Sequence, residues 1–284
     1  LKTGGVLPDR GVTLTFDDGY RSVYETAFPL LQARGWPFTV FVCPDGIDHR
    51  RGPLMTWDQL REMAAAGVTI ANHGLRHDHL HRRLEGETDE AWATRTRAEL
   101  VQANERLEKE IGRAPALLAY PYGEYDADLQ EIVRDLGWAA VGQQSGAMGP
   151  HSDLTALPRF PMSAGDASMK SFPVKVSCLP LPVLSAESAG PILPLGIGVV
   201  KPRPTVRLTL GEGDYRAHQL AAYASRQGAA DLVWIDEEAR IIEVRAKEPL
   251  DAGRSRYNVT APAKDGKRYY WFSYTWIVGN SHKD

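Results

Sequence analysis

The sequence predicts an α/β domain built on parallel strands, followed by a small all-β sandwich. Three observations carry this reading. Between residue 12 and about residue 141, short apolar runs alternate with segments of helical period. From about residue 171 that periodicity gives way to repeated prolines and alternating, β-rich stretches. The 284 residues, 43% hydrophobic and 24% charged, are enough for two cored domains and argue against disorder.

Residues 12–16 read as a short strand that delivers Asp17 and Asp18 to its C-terminal end, where α/β architectures place reacting groups. Val23, Ala27, Leu30 and Leu31 then share a helical face that Gly35 closes, and residues 38–42 form a second, buried strand. Thr56 N-caps a helix carrying Trp57, Leu60 and Met63, which Gly67 stops. A strand over residues 68–71 points His73 to the same rim. Residues 88–111 make a long helix, with Leu100, Asn104, Leu107 and Ile111 at helical spacing, and residues 117–119 the next strand. Asp126 opens a helix bearing Leu129, Ile132, Val133 and Leu136, ahead of a strand at 138–141. Repeated βα units of this kind require a parallel barrel or sheet.

The expected boundary falls at 175/176, with domains over 1–175 and 176–284. In the second, strands are predicted at 205–210, 232–235, 241–246 and 269–278, and Asp265-Gly266 marks a turn. Alternation puts Tyr269, Trp271 and Ser273 on one face and Tyr270, Phe272 and Tyr274 on the other. With Trp234, Tyr257 and Trp276, these rings suit either a sandwich core or a platform for sugars, and packing is the favoured use.

A net charge of -3, from 33 basic and 36 acidic residues, gives no field that selects nucleic acid or an anionic membrane. Two cysteines exclude a disulfide framework; one Cys43–Cys178 bridge and two buried thiols both fit. No apolar run reaches spanning length, and the start at Leu1 reads as a mature or trimmed chain.

The chemistry concentrates in three motifs. Asp17 and Asp18 stand side by side in Thr15-Phe16-Asp17-Asp18-Gly19-Tyr20, and paired carboxylates in a cleft call for a cation. One can bind an ion while the other takes a proton from water. His73 and His77, at i and i+4, are expected on one face of a helical turn, within reach of a single ion. His49, His81 and His218 read as ordinary surface histidines, and His79 either faces away or enters the cleft. Tyr120-Pro121-Tyr122-Gly123 follows an apolar strand, so the Tyr122 amide is placed to meet a developing oxyanion while its ring walls the cleft.

These motifs, in this order, resemble the NodB-type polysaccharide deacetylases, carbohydrate esterase family 4. The run from Phe16 to Tyr20 with Ser22, Val23 and Tyr24, then Phe28-Pro29-Leu30-Leu31, Trp36-Pro37 and Leu157-Pro158-Arg159, is most similar to the branch that de-N-acetylates poly-β-1,6-N-acetylglucosamine. The resemblance covers about residues 10–172. It implies a distorted (β/α) barrel with a divalent ion, zinc before cobalt, nickel or iron, held by Asp18, His73 and His77. It also implies Asp17 as general base and the Tyr122 amide as oxyanion donor. The substrate would be an N-acetylglucosamine polysaccharide outside the cytoplasm, in the periplasm, the envelope or the medium.

Three positions depart from the pattern. Gly74 stands where a Ser or Thr is usual, and Ala119 where many members carry the Arg that orients the base. No Leu-x-His motif follows Arg159, so the usual general acid is absent. Arg159 is the candidate partner for the base and His151 the candidate acid. A glycan-binding scaffold without turnover and an amidase of small substrates are the alternative readings.

Overall fold

The computed structural model describes residues 10–163, 167–188, 190–193 and 201–279. The chain folds as two units: one of Gly11–Glu124 with Asp128–Val141, the other principally Gly142–Asp284 with Tyr125–Ala127. Residues 142–175 therefore group with the C-terminal unit.

In the N-terminal unit, strands β1 (Leu14–Phe16), β2 (Phe38–Val42), β3 (Thr69–Asn72), β4 (Leu117–Ala119) and β5 (Ala139–Val141) form one parallel sheet in sequential order. Each strand lies beside its predecessor, the winding of a (β/α) barrel, here with five strands. The register pairs Phe16 with Val40 and Val42 with Asn72, so β2 and β3 end together and β1 two residues earlier, with residues 17, 18, 43 and 73 following at the C-terminal edge of the sheet.

Around the sheet run α1 (Phe28–Gln32), α2 (Pro44–Asp48), α3 (Trp57–Ala65), α4 (Asp89–Ile111) and α5 (Ala127–Asp135). Sequence chemistry fixes their ends. Thr56 caps α3 in a reciprocal box, its hydroxyl accepting from Gln59 N at 3.3 Å while Gln59 Oε1 accepts from Thr56 N at 2.9 Å. Thr88 accepts from Ala91 N at the head of α4, and Gly112 closes that helix in the left-handed region. Val23–Ala27, expected to be α-helical, is instead a π-helical turn running into α1. Leu60, Met63 and Leu107 meet Val40, Val42 and Ile70 in a core from which water is excluded.

The C-terminal unit holds α6 (Phe172–Ser177) and two largely antiparallel sheets. One contains β6 (Leu179–Pro180), β8 (Ile192–Leu193), β10 (Ala221–Ala224), β11 (Gly228–Ala229), β14 (Gly253–Pro262) and β15 (Tyr269–Val278). The other orders β12 (Asp231–Asp236), β13 (Ile241–Arg245), β9 (Thr205–Leu210) and β7 (Val183–Glu187). Val206, Leu208, Ile242 and Val244 from the second sheet share a core with Tyr257, Val259 and Trp276 from the first, the arrangement of a β-sandwich. Tyr270, Phe272 and Tyr274 pack against that core, while Trp271 meets Phe160 edge-on at 5.3 Å. Both cysteines are free thiols.

Candidate metal centre

The site begins where β1 stops. Asp18 takes φ +70° and Gly19 φ +76°, so the chain turns sharply away from the strand. A Cβ on Gly19 would lie 2.8 Å from Val42 Cγ1, and only glycine lets the carboxylate turn approach β2 this closely.

The two histidines arrive differently from expectation. Residues 73–77 form no helical turn: Gly74 takes φ +77° and His77 φ +64°, and the loop bends back on itself. Buried polar groups hold it in place of a helix. Asn72, fully buried, accepts from Gly74 N at 2.8 Å and donates to Leu100 O at 3.0 Å and Asn104 Oδ1 at 3.2 Å. The Cys43 thiol donates to His73 O at 2.9 Å, and Asp45 N to Leu75 O at 3.1 Å. The buried Glu99 carboxylate accepts from the Arg76 guanidinium, Nη2 to Oε2 at 3.0 Å. Spacing made the pair legible; the loop that produces it depends on α4, distant in sequence.

His73 Nε2 lies 3.2 Å and His77 Nε2 3.1 Å from the same oxygen, Asp18 Oδ1, and the three donor atoms fall within 4.8 Å of one another. His73 is 1% exposed, but His77 and Asp18 are 30% and 33% exposed, which leaves a face open to solvent. The donor set passes a chemical test for a cation. His73 Nδ1 lies 2.7 Å from Ala119 O, an atom that can only accept, so Nδ1 carries the proton. The Nε2 of His73, 3.2 Å from Asp18 Oδ1, then either shares a proton with that oxygen or turns a lone pair to a metal ion. Two electron-rich atoms so placed need a cation or proton between them, and two imidazoles with one carboxylate suit a divalent transition ion. Hydrogen bonds with His73 and then His77 hold the Asp18 carboxyl well below its usual range, against the opposing effect of burial.

Asp17, half-buried, directly precedes this ligand. Tyr122 sits at φ 60°, ψ 0° in the turn Pro121–Gly123, its ring edge-on to His77 at 4.4 Å and stacked on His79 at 4.0 Å. His79 thus lines the site wall, with Nδ1 bonded to the Glu124 carboxylate. His81 is not a surface residue: it is buried, with Nδ1 3.7 Å from Glu124 Oε2. Glu124, which no sequence motif singles out, holds His79; its place directly after the Pro-Tyr-Gly turn is the one local cue. Arg159 and His151 belong to the C-terminal unit. There Arg159 Nε donates to Gly142 O at 2.8 Å, and His151 is exposed in a turn.

The profile of the polysaccharide deacetylase family matches residues 4–141, the stretch that carries the Asp18–His73–His77 cluster. That stretch is a NodB-type polysaccharide deacetylase domain. The chain is 28% identical over 202 residues to the poly-β-1,6-N-acetyl-D-glucosamine N-deacetylase of Escherichia coli K12, covering 60% of this chain and 30% of that one. It is 23% identical over 167 residues to the Staphylococcus aureus (strain MRSA252) protein of the same name, covering 57% and 58%. Among solved structures, the BpsB deacetylase domain of Bordetella bronchiseptica superposes with a TM-score of 0.50 at 28% identity, over 54% of this chain and 71% of that one. The chain spans less than two thirds of the length of the curated relatives it matches.

Proposed function

We propose that the chain is a metal-dependent hydrolase that removes N-acetyl groups from an N-acetylhexosamine polysaccharide and releases acetate. The convergence of Asp18, His73 and His77 beside Asp17 carries the reading. A divalent ion on those three residues supplies Lewis acidity for amide hydrolysis. Zinc is the proposed ion, and cobalt, nickel and iron suit the same donors.

The chain's own groups do the rest. Ala119 O fixes the His73 ring so that Nε2 faces the site, and the low pKa of Asp18 keeps its carboxylate available as a ligand. Asp17 takes a proton from the attacking water as oxygen adds to the acetyl carbon. The Tyr122 N–H is assigned to the carbonyl oxygen as it gains charge, and the Tyr122 ring walls the pocket beside His77. The C–N bond then breaks, the nitrogen gains a proton, and acetate and a free amine leave. For that proton and for orienting Asp17 the chain offers His151 and Arg159, and substituting each singly tests those roles through kcat.

The names of the relatives favour a β-1,6-linked N-acetylglucosamine polymer, and a location outside the cytoplasm is inferred from that substrate class. Among the described residues no helix is long and apolar enough to cross a membrane. Residues 176–284 are proposed as an accessory domain. Acetate release is measured from β-1,6- and β-1,4-linked N-acetylglucosamine oligomers of increasing length, with the chain chelated and then reloaded. Release that rises with length and returns with metal is expected; none with zinc, cobalt, nickel or iron sinks the reading.

A further inference from the structure

The C-terminal unit contains a cleft of about 930 Å³ where the β9–β10 connection, the β12–β13 turn and the β14–β15 turn meet. That volume lies within the roughly 300–1,000 Å³ of small-molecule sites. We propose that this cleft binds a segment of a hexosamine polymer, with the Trp234 indole as its platform and Glu237 as its polar anchor. The choice of polymer rests on the deacetylase reading; the cleft itself does not.

Trp234 owes its position to its strand. Along β12, Leu232 and Trp234 turn toward the sandwich core, while Val233 and Ile235 face outward at 51% and 49% exposure. β12 ends its sheet, so among the described residues no further strand of that sheet covers the flank of Trp234. The ring is only half-buried, lines the cleft, and its Nε1 has no hydrogen-bond partner among the described residues. A flat amphipathic ring with an unused donor at a cavity wall suits the C–H face and hydroxyls of a pyranose.

The facing wall is pinned before any ligand arrives. Tyr215, buried, donates its hydroxyl to Gly211 O at 2.9 Å and rests edge-on against Tyr270 at 5.7 Å. Arg216 N donates to Pro262 O at 2.9 Å, Lys264 N to Asp214 O at 2.6 Å, and the Arg216 guanidinium to Lys264 O at 2.9 Å. A wall held by these hydrogen bonds loses little freedom on binding.

The charges of the lining select a ligand class. Glu212, Asp214 and Glu237 are balanced by Arg216, Arg240 and Lys264, so no net field draws phosphate or nucleic acid. Arg240 meets Glu212 at 3.2 Å and Lys264 meets Asp214 at 3.5 Å. Glu237 makes no ion pair among the described residues and is left to accept from hydroxyls or from the ammonium that de-N-acetylation creates.

The test titrates partially de-N-acetylated β-1,6-linked glucosamine oligomers, by calorimetry, into the full chain carrying Asp17→Asn so that turnover does not intervene. Adding Trp234→Ala is expected to weaken binding about tenfold, with Trp234→Phe restoring most of it. Glu237→Gln, at an exposed position that leaves folding intact, is expected to weaken the de-N-acetylated oligomer more than the fully acetylated one. Unchanged affinity in both Trp234→Ala and Glu237→Gln overturns the site, as does equal affinity for α-linked glucose oligomers. Acetate release by the unsubstituted chain is scored separately. Its absence removes the deacetylase reading, whereas unchanged affinity in both Trp234→Ala and Glu237→Gln removes the cleft.

Discussion

Arg76 Nη2 lies 3.0 Å from Glu99 Oε2, and the two side chains differ sharply in environment: Arg76 is 43% exposed, Glu99 2%. The ion pair ties the loop that carries both histidines to α4, the helix on which Glu99 stands. Burial raises the Glu99 pKa, and the Arg76 charge opposes that rise. Glu99→Ala would remove the carboxylate that accepts from Arg76, and a hydrogen bond to a charged group contributes about 1.5–3 kcal/mol. The expected outcome is a lower unfolding temperature together with weaker zinc binding by calorimetry. Glu99→Gln, which keeps an acceptor, should recover part of both. Zinc affinity unchanged in Glu99→Ala would dissociate the loop's support from the metal centre.

Stability should fall in mild acid through His81. Burial, followed by the charges of Arg82, His79 and Arg83, pushes its pKa from 6.5 down to about 3. Below 6.5 the unfolded chain takes up a proton that the folded chain refuses, so this contribution is complete above 6.5 and lost progressively toward 3. The slope is at most about 1.4 kcal/mol per pH unit, giving roughly 1–2 kcal/mol between pH 6.5 and 5. Urea unfolding of the parent and His81→Phe across that range measures it. Parallel pH profiles for the two proteins would remove His81 as the cause.

Gly19→Ala strains the carboxylate turn twice, through φ +76° and through the 2.8 Å approach of its Cβ to Val42. A loss of at least about 1–3 kcal/mol follows from overpacking and left-handed backbone together. Because Asp18 sits one residue away, zinc affinity should fall with stability. Gly74→Ser is the informative contrast: its added Cβ would meet nothing closer than Pro121 Cγ at 3.4 Å, leaving mainly the backbone cost. Gly74→Ser should therefore fold nearly normally, and equal damage from both substitutions would contradict this account.

The legible parts of the molecule were those written in local pattern. The 88–111 helix showed in the spacing of Leu100, Leu107 and Ile111, and β2 in an apolar run broken only by Thr39. β14 carries no such mark because its inward residues include Ser255 and Ala261, too small or polar to show a period beside Arg254, Arg256 and Asn258. The metal cluster was legible by residue type, since carboxylate and imidazole donors are few. Its scaffold was not. Nothing near residue 73 in sequence reveals that Asn104 and Glu99 will lie beneath it, and nothing local shows His81 as buried.

Two substitutions separate the roles assigned to the adjacent carboxylate and the second histidine. Asp17→Asn keeps the shape of the side chain and removes its basicity, while Asp18, His73 and His77 still converge. Zinc stoichiometry should stay intact and kcat fall by about 10²–10⁴-fold, the usual contribution of a general base. His77→Ala removes a donor 3.1 Å from Asp18 Oδ1 and a ring packed on Tyr122, so bound zinc itself should be lost. Calorimetry with zinc and single-turnover acetate release, run on both variants, give the comparison. Turnover retained in Asp17→Asn would move the base elsewhere, and zinc retained in His77→Ala would take His77 out of the ligand set. Inactivation of both with metal lost only in the second is the pattern that assigns proton transfer to one residue and ion binding to the other.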